Sequence, residues 1–327
     1  MKTYDFALTW NSDKKEKFVK WLKEESSLKG LRFLLIDSNN ASMVIDDLEK
    51  GKLQIKFLLD NEANYNDPKD VFARLCYAAK DANGFVVCDP DDARQASNKA
   101  IAHYDLVNAN IVVPYTIVVR NWKPDDTSLT KAELKKLGAP FIIKPASGFG
   151  QKGVVKNATG SIAEIAEARH FNRGDDFLIQ EKIEPVFFGE KQGWFRVYFL
   201  FGEIIPCWWN TENGHYEHLT LKDMHSYKLT PLARITSKIA ELTNMVFFTT
   251  EIAITGKGKD RRFVCIDYVN DQPELCVRPG KGGPVHEVVK HIAERIIDIV
   301  WRMQKAKQQD IHRSIWLAKA QTEDETI

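Results

Sequence analysis

The sequence predicts an α/β fold from two patterns: an alternation of strand-like and helix-like segments, and a glycine-rich turn between two β-branched runs. Short apolar runs alternate with amphipathic stretches through the first hundred residues. Such alternation is typical of a parallel sheet whose strands are joined by crossover helices. The segments, in order, are Tyr4–Trp10, Lys14–Glu25, Leu31–Ile36, Ile55–Leu59, Pro68–Ala82 and Phe85–Cys88.

The following segments continue this mixed pattern. A helical stretch over Ala93–Val107 precedes an extended segment over Ile111–Val119, and Lys131–Leu137 has the pattern of a short helix that Gly138 ends. Further helices are predicted over Ser161–Arg169 and Leu232–Thr243, and Phe177–Ile183 is predicted to be a strand that breaks into a connection. Further strands are predicted over Trp194–Phe201, Glu203–Trp209, Phe247–Ile254 and Arg262–Tyr268.

The last long segment, Val285–Met303, carries apolar residues at helical spacing, which predicts a helix packed against the core. The stripe consists of Val285, Val288, Val289, Ile292, Ile296, Ile299, Val300 and Met303. The acidic end, Thr322–Ile327, is predicted to be a frayed tail.

The glycine-rich turn lies between the apolar runs that precede Lys144 and follow Gly153. Glycines at 148, 150 and 153 allow a sharp turn whose N–H groups can approach an anion closely. Lys144 and Lys152 add positive charge beside it. The turn is therefore predicted to bind phosphate, although an ordinary glycine hairpin has the same local pattern.

The spacing G-x-G-x-x-G occurs in several nucleotide-binding folds, so the flanking residues have to separate them. A dinucleotide site needs a helix after the third glycine and an acid about 20 residues further on. Asp175 and Asp176 meet the second condition, but the β-branched segment Val154–Gly160 predicts a returning strand. A protein kinase and a Walker loop are excluded by the missing catalytic triplets and the missing Gly-Lys-Ser/Thr.

Composition sets limits on partners and on the cellular compartment. The 46 basic and 45 acidic residues leave a net charge of +1, which gives no electrostatic case for nucleic acid or a membrane surface. The N-terminal residues lack the apolar core of a signal peptide, and no apolar run approaches the ~18 residues of a membrane span. We expect a cytoplasmic protein of one large α/β unit or two domains.

The cysteines and the one close histidine pair predict no metal site. The five cysteines are odd in number and scattered, so they are predicted to be buried, reduced thiols. His215 and His218 are three residues apart, but no cysteine or further histidine lies near enough in sequence to complete a zinc site, which favours a polar loop.

Acidic residues occur near the ends of two predicted strands. Glu251 lies in one strand, and Asp267 and Asn270 lie at the end of the next. Carboxylate and amide oxygens are the ligands that Mg²⁺ takes when it bridges nucleotide phosphates. Taken together, the three residues predict a magnesium site.

The order of these parts resembles the ATP-grasp superfamily over roughly residues 85 to 300. Asn98-Lys99 at the head of a helix resembles the family's entry segment, Lys144 its lid lysine, and the glycine-rich hairpin its phosphate flap. Gln180-Glu181-Lys182-Ile183 resembles its adenine-binding hinge, and Arg196, Glu251 and the Asp267 strand end complete the series.

The resemblance implies an ATP-grasp fold with an N-terminal Rossmann-like domain, and it implies roles for individual residues. Catalytic roles are predicted for Lys144, Arg196 and Arg278, and Mg²⁺ ligation for Glu251, Asp267 and Asn270. ATP binding is predicted for Lys99, Lys144, Ser147, Gly148, Phe149, Gly150, Gln151, Gly153, Gln180, Glu181, Lys182 and Ile183.

The predicted metal strand departs from the family pattern, which has an acid, one residue and then asparagine. Here two residues separate Asp267 from Asn270, and Asp271 follows. Strand alternation would turn Asp267 and Asn270 to opposite faces unless a bulge intervenes, so either Asn270 or Asp271 can be the ligand. Arg196 could stabilise a transferred phosphoryl group or pair with an acid, and Arg278 could clamp a substrate carboxylate or remain a surface arginine.

Most enzymes that resemble this chain phosphorylate a carboxylate with ATP and let an amine or thiol attack the acyl phosphate. A carboxylate–amine ligase, similar to glutathione synthetases and glutamate-adding enzymes, is therefore the first functional prediction. An inositol-phosphate-kinase-like enzyme and a catalytically inactive nucleotide-binding module are the alternatives. The expected partners are ATP, Mg²⁺, a small-molecule or peptide carboxylate and an amine, with a homodimer as a possible assembly.

The same resemblance divides the chain into four parts. An α/β domain is predicted over residues 1–111, a lid subdomain with the glycine-rich flap over residues 112–185, a metal-binding subdomain over residues 186–310, and a helix end and tail over residues 311–327.

Overall fold

The computed structural model describes residues 1–11, 16–121, 128–148, 150, 152–278 and 282–305. The chain divides into two compact units. The first comprises residues 1–94, 196–249 and those from 270 onward, and the second comprises residues 95–195 and 250–269. Each unit is therefore built from separated stretches of sequence. The domain boundaries suggested at residues 111 and 185 stay predictions, and residues 311–327 lie outside the described residues.

The N-terminal part of the first unit is a parallel sheet with helices between its strands, as predicted. Its strand order is β3-β2-β5-β6, and each neighbouring pair is parallel. The central strand β2 is buried throughout, which explains its three consecutive apolar residues, and its last residue, Thr9, donates a hydrogen bond to Asp60. The elements are β1 (Lys2–Tyr4), β2 (Phe6–Thr9), α1 (Lys17–Leu28), β3 (Phe33–Ile36), α2 (Ala41–Glu49), β4 (Leu53–Ile55), β5 (Phe57–Leu59), α3 (Val71–Asp81) and β6 (Phe85–Val86).

The helical stretch predicted over Ala93–Val107 contains two helices, and Asn98-Lys99 heads the second of them, as expected. The two helices are α4 (Pro90–Ser97) and α5 (Lys99–Asn108). The break falls at Asn98, whose side-chain oxygen accepts hydrogen bonds from the N–H groups of Ala100 and Ile101. An asparagine N-cap satisfies N–H groups that have no partner within the helix, so Asn98 starts a new helix.

The second unit contains an antiparallel sheet of order β7-β10-β8-β9. The extended segment before it forms a strand only from Thr116, and the returning strand predicted after the glycine-rich turn is present as β9. Phe141, Ile143, Phe177 and Ile179 of this sheet are buried in one hydrophobic cluster. The elements are β7 (Thr116–Val119), α6 (Lys131–Leu137), β8 (Phe141–Pro145), β9 (Val155–Ala158), α7 (Ile162–Arg169), β10 (Phe177–Gln180), β11 (Phe187–Phe188) and β12 (Lys191–Gln192).

Most of the remaining strands and helices follow the predicted positions closely, whereas the strand Tyr216–His218 and the helix Leu221–Ser226 were not predicted. In the first unit β14 lies between β13 and β15, and in the second β16 lies beside β17. Five of the eight residues of the predicted apolar stripe are buried in the core of the first unit, and the other three, Val285, Ile299 and Met303, are half-buried against it. The elements are β13 (Trp194–Leu200), β14 (Glu203–Trp209), β15 (Tyr216–His218), α8 (Leu221–Ser226), α9 (Pro231–Thr243), β16 (Phe247–Thr255), β17 (Arg262–Asn270) and α10 (His286–Lys305).

All five cysteines are free thiols, as predicted, but only three of them are buried, whereas Cys88 and Cys276 are half-buried. In the described part of the chain, no helix has the length and apolar character needed to cross a membrane. Nor do three or more His, Cys, Asp or Glu side chains gather into a metal-binding group there. His215 and His218 are both exposed, but His218 is the last residue of β15 and so does not lie in the polar loop that was expected.

Candidate active site

The glycine-rich turn connects β8 to β9 as a hairpin. Gly150 and Gly153 have positive φ angles of 62° and 71°, which only glycine adopts without strain. A Cβ atom on Gly153 would also overlap the ring of Phe171, so a larger residue there would require that ring to move. Phe149 and Gln151, both predicted to bind ATP, lie outside the described residues.

The first residue of α5 holds this turn. The backbone N–H of Lys99 donates to the carbonyl oxygen of Ala146 at 3.0 Å, and its ammonium donates to the carbonyl oxygen of Gly148 at 2.9 Å. The same ammonium lies 4.0 Å from Oδ1 of Asp267. Lys99 therefore places one positive charge between the turn and an acid of β17.

The two acids that could have satisfied a dinucleotide-binding pattern have structural contacts instead. Asp175 accepts a 2.7 Å hydrogen bond from the backbone N–H of Ser147, and burial raises the pKa of its carboxyl. Asp176 pairs with Arg120 at 2.6 Å. Asp175 thus fixes Ser147 at the start of the turn, whereas the role of Ser147 toward ATP stays a prediction.

Lys144 supplies a second positive charge from inside the unit. Its side chain is buried, and its Nζ donates a 3.3 Å hydrogen bond to the carbonyl oxygen of Ile266. Burial lowers the pKa of this ammonium, an effect that the negative charge of Asp267 and the weaker influence of Glu251 oppose. The carboxylates thus favour the charged lysine.

The two predicted acids differ in exposure. Glu251 is 8% exposed and accepts a 3.3 Å hydrogen bond from the indole N–H of Trp194. The side chain of Asp267 is 30% exposed, and its backbone carbonyl accepts a hydrogen bond from the hydroxyl of Thr250. In nucleotide sites Mg²⁺ is usually bound by one or two carboxylates of the protein, and substrate phosphates and water complete its coordination shell. The carboxylates of Glu251 and Asp267 therefore fit this ion.

The predicted hinge follows β10 and is tied to the start of β7. Gln180 Nε2 donates to Oγ1 of Thr116 at 3.1 Å, and Glu181 exchanges backbone and side-chain hydrogen bonds with the backbone of Tyr115. Lys182 Nζ donates to Oδ1 of Asn157 at 3.1 Å, and Ile183 is buried. The hinge is therefore fixed by contacts within the second unit.

Three predicted residues belong to the first unit. The guanidinium of Arg196 lies 4.9 Å from the centre of the Trp209 ring. Arg278 is exposed, lies 3.7 Å from the carboxylate of Glu274, and lines a cavity of about 790 Å³. Asn270 is the last residue of β17. Other basic side chains of the cavity are Lys17, His215, His218 and His286.

Asn270 and Asp271 are the two alternative Mg²⁺ ligands at the end of β17, and alanine variants distinguish them. Asn270→Ala and Asp271→Ala are compared for the Mg²⁺ concentration that gives half-maximal ATP turnover. We expect the Asn270 variant to need more Mg²⁺, because it loses an amide oxygen that is predicted to bind the ion. A shift confined to the Asp271 variant would assign the ligand to that residue instead.

Sequence reasoning missed three side chains that contact the predicted site: Trp194, His103 and Tyr268. His103 lies one helical turn after Lys99, a spacing that places the two on the same face of α5. Tyr268 directly follows Asp267 in β17. The sequence shows both positions, but it does not indicate which side chains His103 and Tyr268 contact.

Comparison with solved structures identifies the fold of this chain. No family model and no curated protein matches the sequence. Among solved structures, a RimK-domain ATP-grasp protein from Sphaerobacter thermophilus is 17% identical, with a TM-score of 0.61 over 90% of this chain and 98% of that one. D-alanine–D-alanine ligase from Bacillus anthracis is 15% identical, with a TM-score of 0.60 over 92% and 98%.

The ATP-grasp ligase PsnB, solved with a minimal precursor, Mg and ADP, is 13% identical, with a TM-score of 0.58 over 92% of this chain and 99% of that one. Identities this low establish common architecture. The chain therefore has the ATP-grasp fold that the order of its motifs predicted.

Proposed function

We propose that this protein is an ATP- and Mg²⁺-dependent ligase that joins a carboxylate to an amine through an acyl phosphate. The observation that carries the proposal is the grouping of two lysines and two carboxylates beside a glycine-rich turn within an ATP-grasp fold. Lys99 holds the turn, and the charges of Asp267 and Glu251 act on buried Lys144. Such a site can bind phosphates and the cation that accompanies them.

Each part of the site has a role in this proposal. Glu251 and Asp267, with Asn270, would hold Mg²⁺, which would neutralise charge on the phosphates of ATP. Lys99 and Lys144 would bind phosphate oxygens, and the backbone of Lys182 and Ile183 would contact the adenine edge. None of these roles requires a covalent nucleophile from the protein, because positioning and charge neutralisation supply most of the catalysis.

A cavity of the first unit supports a carboxylate as one substrate. Arg278, one lysine and three histidines line this cavity, together with the acidic side chain of Glu217. An arginine can bind a carboxylate through two parallel hydrogen bonds. Structures with the same fold include a D-alanine–D-alanine ligase and a macrocyclase, MdnB. These features support an acid as one substrate.

Hydroxylamine tests the reaction class. The purified protein is incubated with ATP, Mg²⁺ and a panel of amino acids and carboxylic acids, with hydroxylamine in place of the amine. We expect the correct acid to give equal amounts of ADP and hydroxamate, because hydroxylamine attacks the acyl phosphate at its carbonyl carbon and phosphate leaves.

Three results would contradict the ligase. A stable phosphorylated alcohol without hydroxamate would identify a kinase, and AMP with pyrophosphate would identify adenylate chemistry. Tight ADP and Mg²⁺ binding with no turnover of any acid or alcohol in a broad panel would favour a nucleotide-binding module. Omitting the acid from the mixture is the control, since ADP should then form only slowly.

A further inference from the structure

Tyr268 lies at the centre of a group of side chains from separate elements of the second unit. Its hydroxyl oxygen is 2.8 Å from Nδ1 of His103 and 3.2 Å from Nε2 of Gln180. The ammonium of Lys144 lies 5.7 Å from the centre of its ring. One tyrosine thus contacts α5, the end of β10 and a lysine of β8.

The hydroxyl of Tyr268 is hydrogen-bonded on two sides. An amide nitrogen can only donate, so Gln180 donates to Tyr268 and, with its other N–H, to Thr116. On the other side the hydroxyl shares a hydrogen bond with Nδ1 of His103, whose tautomer sets which of the two atoms donates. Burial and the charge of Lys144 lower the pKa of His103 to about 4, so the imidazole is neutral at neutral pH and adds no second positive charge beside Lys144.

These hydrogen bonds fix the ring of Tyr268 beside the ammonium of Lys144. Tyr268 is 1% exposed, and its hydroxyl has partners on two sides, so the ring has little freedom to rotate away. A cation near the face of an aromatic ring is attracted by the ring's quadrupole, most strongly where water is excluded. The ammonium of Lys144 is buried and also bound to the carbonyl oxygen of Ile266. Ring and carbonyl together restrict its position.

We propose that Tyr268 is a positioning residue for Lys144: Gln180 and His103 hold its hydroxyl, and its ring holds the ammonium where a nucleotide phosphate is bound. The proposal rests on the proposed function only in that Lys144 meets a phosphate of ADP or ATP. Tyr268 itself is given no contact with the nucleotide and no part in the chemistry.

Two substitutions separate the ring from the hydroxyl. Tyr268→Leu removes both and is expected to weaken binding of ADP with Mg²⁺ about 10-fold, the effect of losing one desolvated cation–π contact. Tyr268→Phe keeps the ring but loses its hydrogen bonds, so we expect a weakening of about threefold. Dissociation constants are measured by isothermal titration calorimetry with ADP and Mg²⁺.

A double-mutant cycle with Lys144→Met tests whether Tyr268 acts through the lysine. In that background, neither Tyr268 variant should weaken ADP binding further, because the group that Tyr268 positions is absent. The control is Tyr65→Phe in the first unit, which removes another buried hydroxyl with two partners, Asp60 and Cys76. It should leave ADP binding unchanged.

The outcomes are distinct. Additive losses in the cycle would overturn the proposal, because they would show that Tyr268 acts independently of Lys144. Wild-type affinity in both Tyr268 variants would do the same while leaving the proposed function intact. If Tyr268→Leu does not fold, the cycle is completed with Tyr268→Phe and decides the question. No ADP binding by the wild-type protein would overturn this proposal and the proposed function together.

Discussion

Lys144→Met is expected to lower turnover by about 10²–10³, the loss typical of removing one donor that stabilises charge in a transition state. The lysine is buried, and electrostatic interactions are stronger where water is excluded. Affinity for ATP should fall as well, since the ammonium would also contact the phosphates of the bound nucleotide. Steady-state kinetics with the acid found in the hydroxamate screen measures both effects.

The fold should survive this change. Burial disfavours the charged form of Lys144, and methionine of similar length carries no such cost, so the melting temperature should stay constant or rise. Lys136→Met is the matched control, because it removes an exposed ammonium 5.3 Å from the ring centre of Tyr115 in the same unit. Equal kinetics for wild type and Lys144→Met would contradict the role of this lysine.

Local patterns predicted much of the secondary structure because the signals act over a few residues. The helix predicted over Lys131–Leu137 is confirmed. Thr130 and Glu133 form a capping box at its start, and Gly138, with a φ of 73°, ends it. Glu203–Trp209 was likewise predicted as a strand and has the same bounds in the structure. Both results depend on residues adjacent in sequence.

The pattern of Ala93–Val107 does not show the break between its two helices at Asn98. The resemblance implies that Asn98-Lys99 heads a helix, whereas the pattern of Ala93–Val107 predicts one helical stretch without a break. Periodicity cannot separate two consecutive helices, whereas the N-cap hydrogen bonds of Asn98 do. The cap signal was therefore the more reliable of the two.

The order of motifs along the chain predicted the ATP-grasp fold, but pair contacts within the site required the structure. Nothing in the spacing of His103, 165 residues before Tyr268, indicates that their side chains lie 2.8 Å apart. The second unit likewise combines residues 95–195 with residues 250–269. Such long-range pairing depends on tertiary packing, which local propensity does not encode.

Asp267→Asn is expected to abolish measurable turnover while the protein stays folded. The substitution keeps the shape of the side chain but removes a negative charge that, with Glu251, is proposed to bind Mg²⁺. Asparagine retains one neutral carbonyl oxygen, a far weaker ligand for a hard divalent cation. The change also removes the carboxylate that lies 4.0 Å from Lys99 and favours the charged form of Lys144, so both lysines lose a negative neighbour together with the proposed Mg²⁺.

Circular dichroism and thermal melting would show that the fold is kept, and ATP turnover would be measured across a Mg²⁺ titration. Asp176→Asn is the matched control: it removes a carboxylate of the same unit that pairs with Arg120 and that has no proposed contact with the metal. This control should cost stability but little activity. Wild-type turnover of Asp267→Asn at ordinary Mg²⁺ concentrations would remove Asp267 from the metal site, and with it the main support for placing Mg²⁺ beside Lys144.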